Sequence, residues 1–115
     1  MAGTTKQLVV DGSTVVPVEL ATSRKARRQG LLGRSGIDGA ILLRPTSSIH
    51  TFFMRFAIDA AFCDRELKVL RTATLRPFRL TRLSFRTKAV LEAEAGAFED
   101  WGIRPGSQLE ISPSD

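Results

Sequence analysis

Asp59 is the first residue whose surroundings point to chemistry. It lies within the apolar run 58–62, four residues after Arg55. A carboxylate in such surroundings is costly to bury unless it is paired or hydrogen-bonded. Two interpretations follow. We favour a structural Asp59 that is satisfied by backbone N–H groups or by Arg55; the alternative is a carboxylate in a pocket that binds a cationic or hydroxylated ligand.

Glu92 offers a second carboxylate. In the run 90–95, Glu92 and Glu94 share one face of a predicted strand, and this alternation is typical of a solvated face. If the strand that carries Asp59 lies alongside, Asp59 and Glu92 form a paired acidic site for acid–base catalysis or for a hard cation such as magnesium or calcium. The ligand-binding residues of this hypothesis are Arg34, His50, Arg55, Asp59 and Glu92.

The single histidine and the single cysteine limit metal and nucleophile chemistry. His50 and Cys63 are too few for the ligand cluster of a structural zinc, so we predict no metal site. A Cys–His or Ser–His nucleophile needs His50 beside Cys63 or a serine in space. The simpler interpretation makes His50 an ordinary strand or loop residue and Cys63 a core residue. Phosphate-loop and dinucleotide glycine patterns are missing too, and no cofactor is predicted.

An arginine-rich stretch with interleaved phenylalanines runs over residues 75–86. Its basic residues are Arg76, Arg79, Arg82 and Arg86. Our first expectation is a half-buried strand with a solvated, arginine-rich outer face. Guanidinium groups also bind phosphates and phenyl rings offer stacking platforms, so single-stranded nucleic acid is an alternative, and an acidic protein is another. A slip in the apolar spacing at Thr81 and Arg82 indicates a bulge or loop.

Charge is unevenly distributed along the chain. The net charge is +5, but residues 65–88 hold eight basic residues and one acid, a net of +7. Residues 89–115 hold one arginine and six acids, a net of −5. We expect the two segments to neutralise each other in the fold; the alternative is that the basic segment steers an acidic partner.

The elements that must position these residues begin with a β-hairpin. Residues 8–10 and 15–20 are rich in β-branched side chains and flank the turn at 11–13. Pro17 removes a backbone donor, so the second strand is expected at a sheet edge or a bulge. A Ser or Thr cap then starts a short helix near residues 23–34, and glycines set where that helix ends.

Beyond residue 39 the pattern changes to short apolar runs separated by turn residues. These runs are 40–43, 49–53, 60–63, 67–75, 90–95 and 109–111. Helices of ten or more residues do not fit between the breaks, and the spacing is typical of an all-β sandwich or barrel. We therefore predict a mainly β domain, a compact sandwich or barrel with one short helix near residues 23–34.

Length and composition bound the domain organisation and the compartment. With 115 residues, 43% of them hydrophobic, one domain over residues 5–112 is expected, followed by a frayed tail at 113–115. No apolar stretch approaches the roughly 20 residues of a membrane span, and the N-terminal apolar run is too short for an export signal. A lone cysteine fits a reducing compartment. We expect a soluble, cytoplasmic monomer without membrane insertion.

Five short motifs occur in the order found in one protein family. They are residues 30–34 (GLLGR), 39–43 (GAILL), 50–62 (HTFFMRFAIDAAF), 90–96 (VLEAEAG) and 102–106 (GIRPG). As an ordered set they resemble the signature segments of the bacterial and archaeal family known as domain of unknown function 192. The resemblance implies a compact β-sandwich or barrel, and it implies no established activity.

Two hypotheses about function follow from these patterns. The first is a binding or accessory domain that presents a basic, arginine-rich surface to an acidic protein, a nucleic acid or a small anion. The second is a small enzyme, or a binder of a sugar-like or metal ligand, with Asp59 and Glu92 at its site. A pocket lined by both carboxylates favours the second hypothesis, and arginines that share one face favour the first.

Overall fold

The computed structural model describes residues 5–113, and β-strands dominate it. The strands in that range are β1 (Thr5–Val10), β2 (Thr14–Ala21), β3 (Ala40–Leu43), β4 (Ile58–Cys63), β5 (Val69–Leu75), β6 (Ala89–Glu94) and β7 (Leu109–Ser112). Two short helices accompany them, α1 (Arg24–Gln29) after β2 and α2 (Ala97–Trp101) after β6. The predicted mainly β fold with a short helix near residues 23–34 is thus confirmed. None of the described helices is long and apolar enough to cross a membrane.

The seven described strands form one curled sheet in the order β5-β4-β6-β3-β2-β1-β7. Neighbouring strands run antiparallel except β2 and β3, which run parallel. The two edges of the sheet approach each other just before β5 and β7 begin. There the Val69 N–H donates to the Ser107 carbonyl (2.9 Å) and the Leu109 N–H donates to the Leu67 carbonyl (3.0 Å). The sheet is therefore a half-barrel.

One face of the sheet forms the interior of this half-barrel. It gathers buried side chains from all seven strands, together with Phe98 of α2. Among its most deeply buried members are Leu8, Val18, Leu42, Leu91 and Leu109. Burial of this apolar surface, at about 25 cal/mol for each Å² removed from water, is the main favourable term in folding.

Three connecting segments cross the other face of the sheet. Residues 22–39 join β2 to β3, residues 44–57 join β3 to β4, and residues 76–88 join β5 to β6. Each must pass from one end of the sheet to the other, because the strands it joins run in the same direction. They cover a second apolar cluster, so β3 and β4 are buried on both faces.

Helix α1 is shorter than predicted, and a glycine explains its length. The Ser23 hydroxyl accepts a hydrogen bond from the Ala26 N–H (3.1 Å) and caps the start of the helix. Gly30 ends the helix with φ 47° and ψ −124°, a conformation that only glycine adopts readily. Residues 31–33 form turns instead of a further helical turn.

Two local predictions differ from the structure. β2 is not an edge strand, because β1 and β3 flank it; Pro17 is tolerated since pairing with β3 begins only at Val18. The apolar run 49–53 belongs to a crossing segment and not to a strand of the sheet. Of the predicted tail at 113–115, Pro113 follows β7, and the last two residues lie outside the described part of the chain.

Candidate functional site

Two crossing segments, residues 44–57 and 76–88, are joined through Thr51. The Thr51 hydroxyl donates to the Arg76 carbonyl (2.7 Å) and accepts from the Arg79 N–H (2.8 Å). The Thr51 N–H also donates to the Arg79 carbonyl (2.8 Å). Because this threonine is buried, its hydrogen bonds hold the two segments side by side.

Large apolar side chains and arginines stand exposed on these two segments. We call the following side chains the basic–aromatic face: Phe52, Phe53, Arg76, Phe78, Arg79, Leu80, Arg82, Leu83, Phe85 and Arg86. Phe53 is 75% exposed and Phe85 is 88% exposed. The rings of Phe53 and Phe78 pack edge to face with their centroids 5.5 Å apart. Exposed apolar side chains that are grouped, and not scattered singly, mark interaction surfaces.

Within residues 5–113, the arginines of this face form no ion pair with the acids of the C-terminal segment. Residues 39–58 and 67–91, which include both segments, contain no aspartate or glutamate. Within residues 5–113 the ion pair found joins Arg34 to Glu19, and none connects the basic segment to the acidic one. The expected neutralisation of the two charge blocks is therefore not achieved through ion pairs in the described range.

A groove of about 390 Å³ lies between the loop 76–88 and β5. Arg71 and Arg82 line it together with Leu80. The Arg71 guanidinium carbon lies 3.8 Å from the centroid of the buried Phe62 ring, which holds that cation in place. The groove thus offers an apolar surface next to two guanidinium groups.

A cavity of about 310 Å³ adjoins the basic–aromatic face, between α1 and the segment 44–57. His50 and Phe52 line it, and their rings stack with centroids 5.1 Å apart. The Phe52 N–H donates to His50 Nδ1 (3.3 Å). The apolar residues of the lining include Leu31, Leu43, Ile49 and Met54.

Glu92 is the carboxylate of this cavity. β6 places it on the face that the crossing segments cover, and its side chain is 4% exposed. Burial alone raises the pKa of Glu92 to about 7, because no hydrogen bond from residues 5–113 offsets the loss of water. Glu92 therefore changes charge near neutral pH inside a cavity of ligand size.

Helix α1 places three arginines around the same cavity. Arg24, Arg27 and Arg28 occupy positions i, i+3 and i+4, which share one side of a helix, and all three line the cavity. Gly30 closes the helix directly beside the carboxylate, since a Cβ at this position would lie 3.4 Å from Glu92 Oε1. A buried acid thus lies beneath a positively charged helix.

Asp59 fastens α2 to the sheet. Its Oδ2 accepts hydrogen bonds from the N–H groups of Gly96 (2.9 Å) and Phe98 (3.1 Å), and its Oδ1 accepts one from the Thr74 hydroxyl (2.7 Å). These contacts support the structural interpretation, with backbone N–H groups as partners. Arg55 is exposed and makes no ion pair within the described range.

The register of the sheet separates the two predicted carboxylates. Asp59 pairs with Ala93, whereas Glu92 pairs with Ala60. Because successive residues of a strand point to opposite faces, Asp59 and Glu92 leave the sheet on opposite sides. They line two different concavities. The proposed paired acidic site is therefore not formed by these two residues.

Other residues named in the sequence hypotheses lie apart from the cavity. Arg34 forms a bidentate pair with Glu19 (2.7 and 2.9 Å), and this hydrogen bonding lowers the pKa of Glu19. Cys63 is fully buried on the interior face, and burial raises its pKa to about 12. His50 is exposed above the opposite face, so the Cys–His nucleophile is not assembled. Of the predicted ligand set, the cavity brings together only His50 and Glu92.

The arginines that surround the cavity were not among the residues predicted to bind a ligand together with Glu92. The spacing of Arg24, Arg27 and Arg28 was the available signal, because it predicts one basic side on the helix. What the spacing could not show is that this side would lie above Glu92. That contact depends on where the segment 22–39 crosses the sheet.

These features define a small half-barrel domain whose crossing segments border a cavity and carry exposed phenylalanines and arginines. The chain belongs to the family DUF192, described as "Uncharacterized ACR", whose model matches residues 6–111. It is 31% identical over 98 residues to a UPF0127 protein of Pyrococcus abyssi, covering 81% of this chain and 84% of that protein. A UPF0127 protein of Pyrococcus horikoshii is 30% identical over 93 residues, 76% of this chain and 79% of that protein.

Two solved structures share the fold. One is a protein of unknown function from Novosphingobium aromaticivorans, with a TM-score of 0.77, 22% identity, and coverage of 90% of this chain and 83% of that one. The other, from Sinorhizobium meliloti, is provisionally described as a transcription regulator; its TM-score is 0.81 at 21% identity, and 96% of each chain is covered. At these identities the likeness shows the fold alone.

Proposed function

We propose that this domain binds single-stranded nucleic acid on the basic–aromatic face. The observation that carries the proposal is the grouping of exposed phenyl rings with arginines on two segments that contain no carboxylate. Guanidinium groups contact phosphates, and aromatic rings stack on bases with little dependence on sequence. The acidic partner of the binding hypothesis is then a nucleic acid.

The exposure of the apolar side chains argues against a merely solvated face. Phe53 and Phe85 keep most of their surface in water, as do Leu80 and Leu83, at 71% and 70%. The candidate acidic partners differ in whether they need the phenyl rings or can use the leucine side chains equally well. A stacked base needs the flat ring of a phenylalanine, whereas an acidic protein or an anionic lipid surface would use the leucines equally well.

Salt dependence tests the contribution of the arginines. Fluorescence anisotropy with a labelled oligothymidylate of about 12 nucleotides gives the affinity at two salt concentrations. If four phosphates are contacted, affinity should fall about 50-fold between roughly 50 and 200 mM salt. Replacing two contacts in the double variant Arg79→Gln/Arg82→Gln should reduce that fall to about 7-fold. Arg104→Gln, an exposed arginine in the turn after α2, is the matched control and should behave as wild type.

A second pair of variants tests the contribution of the rings. Phe85→Leu keeps an apolar side chain and removes the stacking surface, so affinity should fall by about 5-fold or more. The double variant Leu80→Ser/Leu83→Ser removes apolar surface from the same face but keeps every ring, so it should weaken binding less than Phe85→Leu does. Absence of oligonucleotide binding at low salt overturns the proposal. Binding that depends on the leucines and not on the ring would indicate another kind of acidic partner.

A further inference from the structure

The cavity beside α1 holds opposite charges at different depths. Glu92 is buried at 4% exposure, whereas Arg24 and Arg28 are exposed on the helix above it. The rest of the lining includes apolar side chains such as Leu31 and Met54, together with polar residues such as Ser48. A carboxylate that has lost most of its water and has no hydrogen-bond donor within the described range is expensive to keep ionised.

We propose that this cavity binds a small zwitterion in which an aliphatic chain separates a primary ammonium group from a carboxylate. The ammonium lies against Glu92, where it supplies both the charge and the hydrogen bonds that the carboxylate lacks. The chain contacts the apolar lining, and the ligand carboxylate meets the guanidinium groups of Arg24 and Arg28. The site adjoins the basic–aromatic face, and Phe52 belongs to both.

The lining favours an organic cation over a metal ion. Glu92 is the one carboxylate among the described residues that line the cavity, and magnesium or calcium requires several oxygen ligands. A volume of about 310 Å³ is near the lower end of the range for small-molecule pockets, roughly 300–1,000 Å³. A molecule of amino-acid size therefore fits the cavity better than a nucleotide or a peptide.

A series of small ligands that differ in chain length and charge tests the proposal. The probes are unbranched amino acids from 3-aminopropanoate to 6-aminohexanoate, with hexanoate and hexylamine as controls that each carry one charge. Binding is followed through the NMR methyl signals of Leu31 and Ile49, which line the cavity. We expect at least one amino acid to saturate these shifts, and both single-charge controls to bind about tenfold more weakly or worse.

Matched variants connect the binding to Glu92. Glu92→Gln should lose about tenfold or more in affinity for the best probe. Glu94→Gln makes the same chemical change two residues along the strand, at an exposed position, and should bind as wild type. Thermal unfolding of both variants shows whether the fold is retained. An affinity of Glu92→Gln equal to that of wild type overturns the proposal, as does the absence of saturable shifts with every probe.

The pH dependence supplies an independent readout. Affinity should rise from about pH 6 to about pH 8, because the ammonium requires the ionised carboxylate. The other charged or titratable groups that line the cavity are Arg24, Arg27, Arg28 and His50. His50→Gln should therefore keep the rise, and its loss in that variant would overturn the role of Glu92. Oligonucleotide affinity, measured separately, does not depend on this outcome, so the two proposals can fail independently.

Discussion

Asp59 and Glu92 lie on adjacent strands, one residue out of register, and their carboxylates leave the sheet on opposite faces. Asp59 accepts two backbone N–H groups and one hydroxyl. Glu92 is as deeply buried but has no such partner in the described range, and its pKa is raised to about 7. The first carboxylate therefore holds α2 in place, and the second is available to a ligand.

The charge of Glu92 should make stability depend on pH. Its pKa is about 7 in the fold and ordinarily 4.5, so the stability that the neutral form provides is complete below about pH 4.5 and is lost as pH rises through about 7. We expect Glu92→Gln to match wild type near pH 4 and to be more stable by up to roughly 3 kcal/mol near pH 8. Urea unfolding at the two pH values measures the stability difference between Glu92→Gln and wild type. A difference that does not change with pH would contradict the burial of the charge.

Loss of the Asp59 carboxylate should destabilise the fold. Asp59→Ala leaves the buried Phe98 N–H without its acceptor, at about 1–3 kcal/mol, and removes the hydrogen bond to the exposed Gly96, at about 1 kcal/mol. We expect a total loss of about 3 kcal/mol, and a smaller loss for Asp59→Asn, which keeps one acceptor oxygen. Urea unfolding of both variants shows whether Asp59→Ala loses more stability than Asp59→Asn. If Asp59→Ala unfolds like wild type, this aspartate has no structural role.

The backbone conformation of Gly30 makes it hard to replace. At φ 47° and ψ −124° an alanine is strained by about 1–3 kcal/mol, and its Cβ would also lie 3.4 Å from Glu92 Oε1. Gly12 is the matched control, because its φ of 74° is an ordinary left-handed one and an alanine Cβ there would meet nothing within 4 Å beyond its chain neighbours. Gly12→Ala should cost about 1 kcal/mol. Thermal unfolding compares the two variants, and equal losses would show that Gly30 is not specifically required.

Cys63 should be inert in the folded protein. It is fully buried, and a pKa of about 12 leaves almost no thiolate at neutral pH. We expect Ellman's reagent to release its chromophore slowly without denaturant and at once in concentrated urea. Rapid reaction of the native protein would mean that the interior face opens to solvent far more often than its packing indicates.

Much of the fold was predictable because local patterns agree with it. The β-branched runs on either side of the turn at 11–13 form the β1–β2 hairpin, and Gly30 ends α1. Helix α2 was not predicted, since five residues are too few for a periodic pattern and the contacts at its start come from Asp59, which lies far away in the sequence. β2 as a whole is not the edge strand that Pro17 suggested, because its pairing with β3 from Val18 onward depends on a crossing segment and not on local sequence. Pro17 itself pairs on the β1 side alone.

The candidate site was predictable only in part. The arginine-rich stretch and Glu92 stand out by residue type, but their environments depend on which face each crossing segment covers. A strand such as β6 that alternates Glu with apolar residues predicts a solvated face, and Glu94 is indeed exposed. Glu92 is buried two residues earlier because α1 and the segment 44–57 lie over it. No local pattern contains that information.

The most direct test of nucleic acid binding is an NMR titration of the labelled protein with oligothymidylate at low salt. Amide signals of residues 49–53 and 76–86 should shift and saturate together, while those of the β1–β2 turn at 11–13 and of the turn at 102–107 stay in place. Shifts that concentrate at those two turns, or a spectrum that does not change at all, would contradict the assignment of this surface.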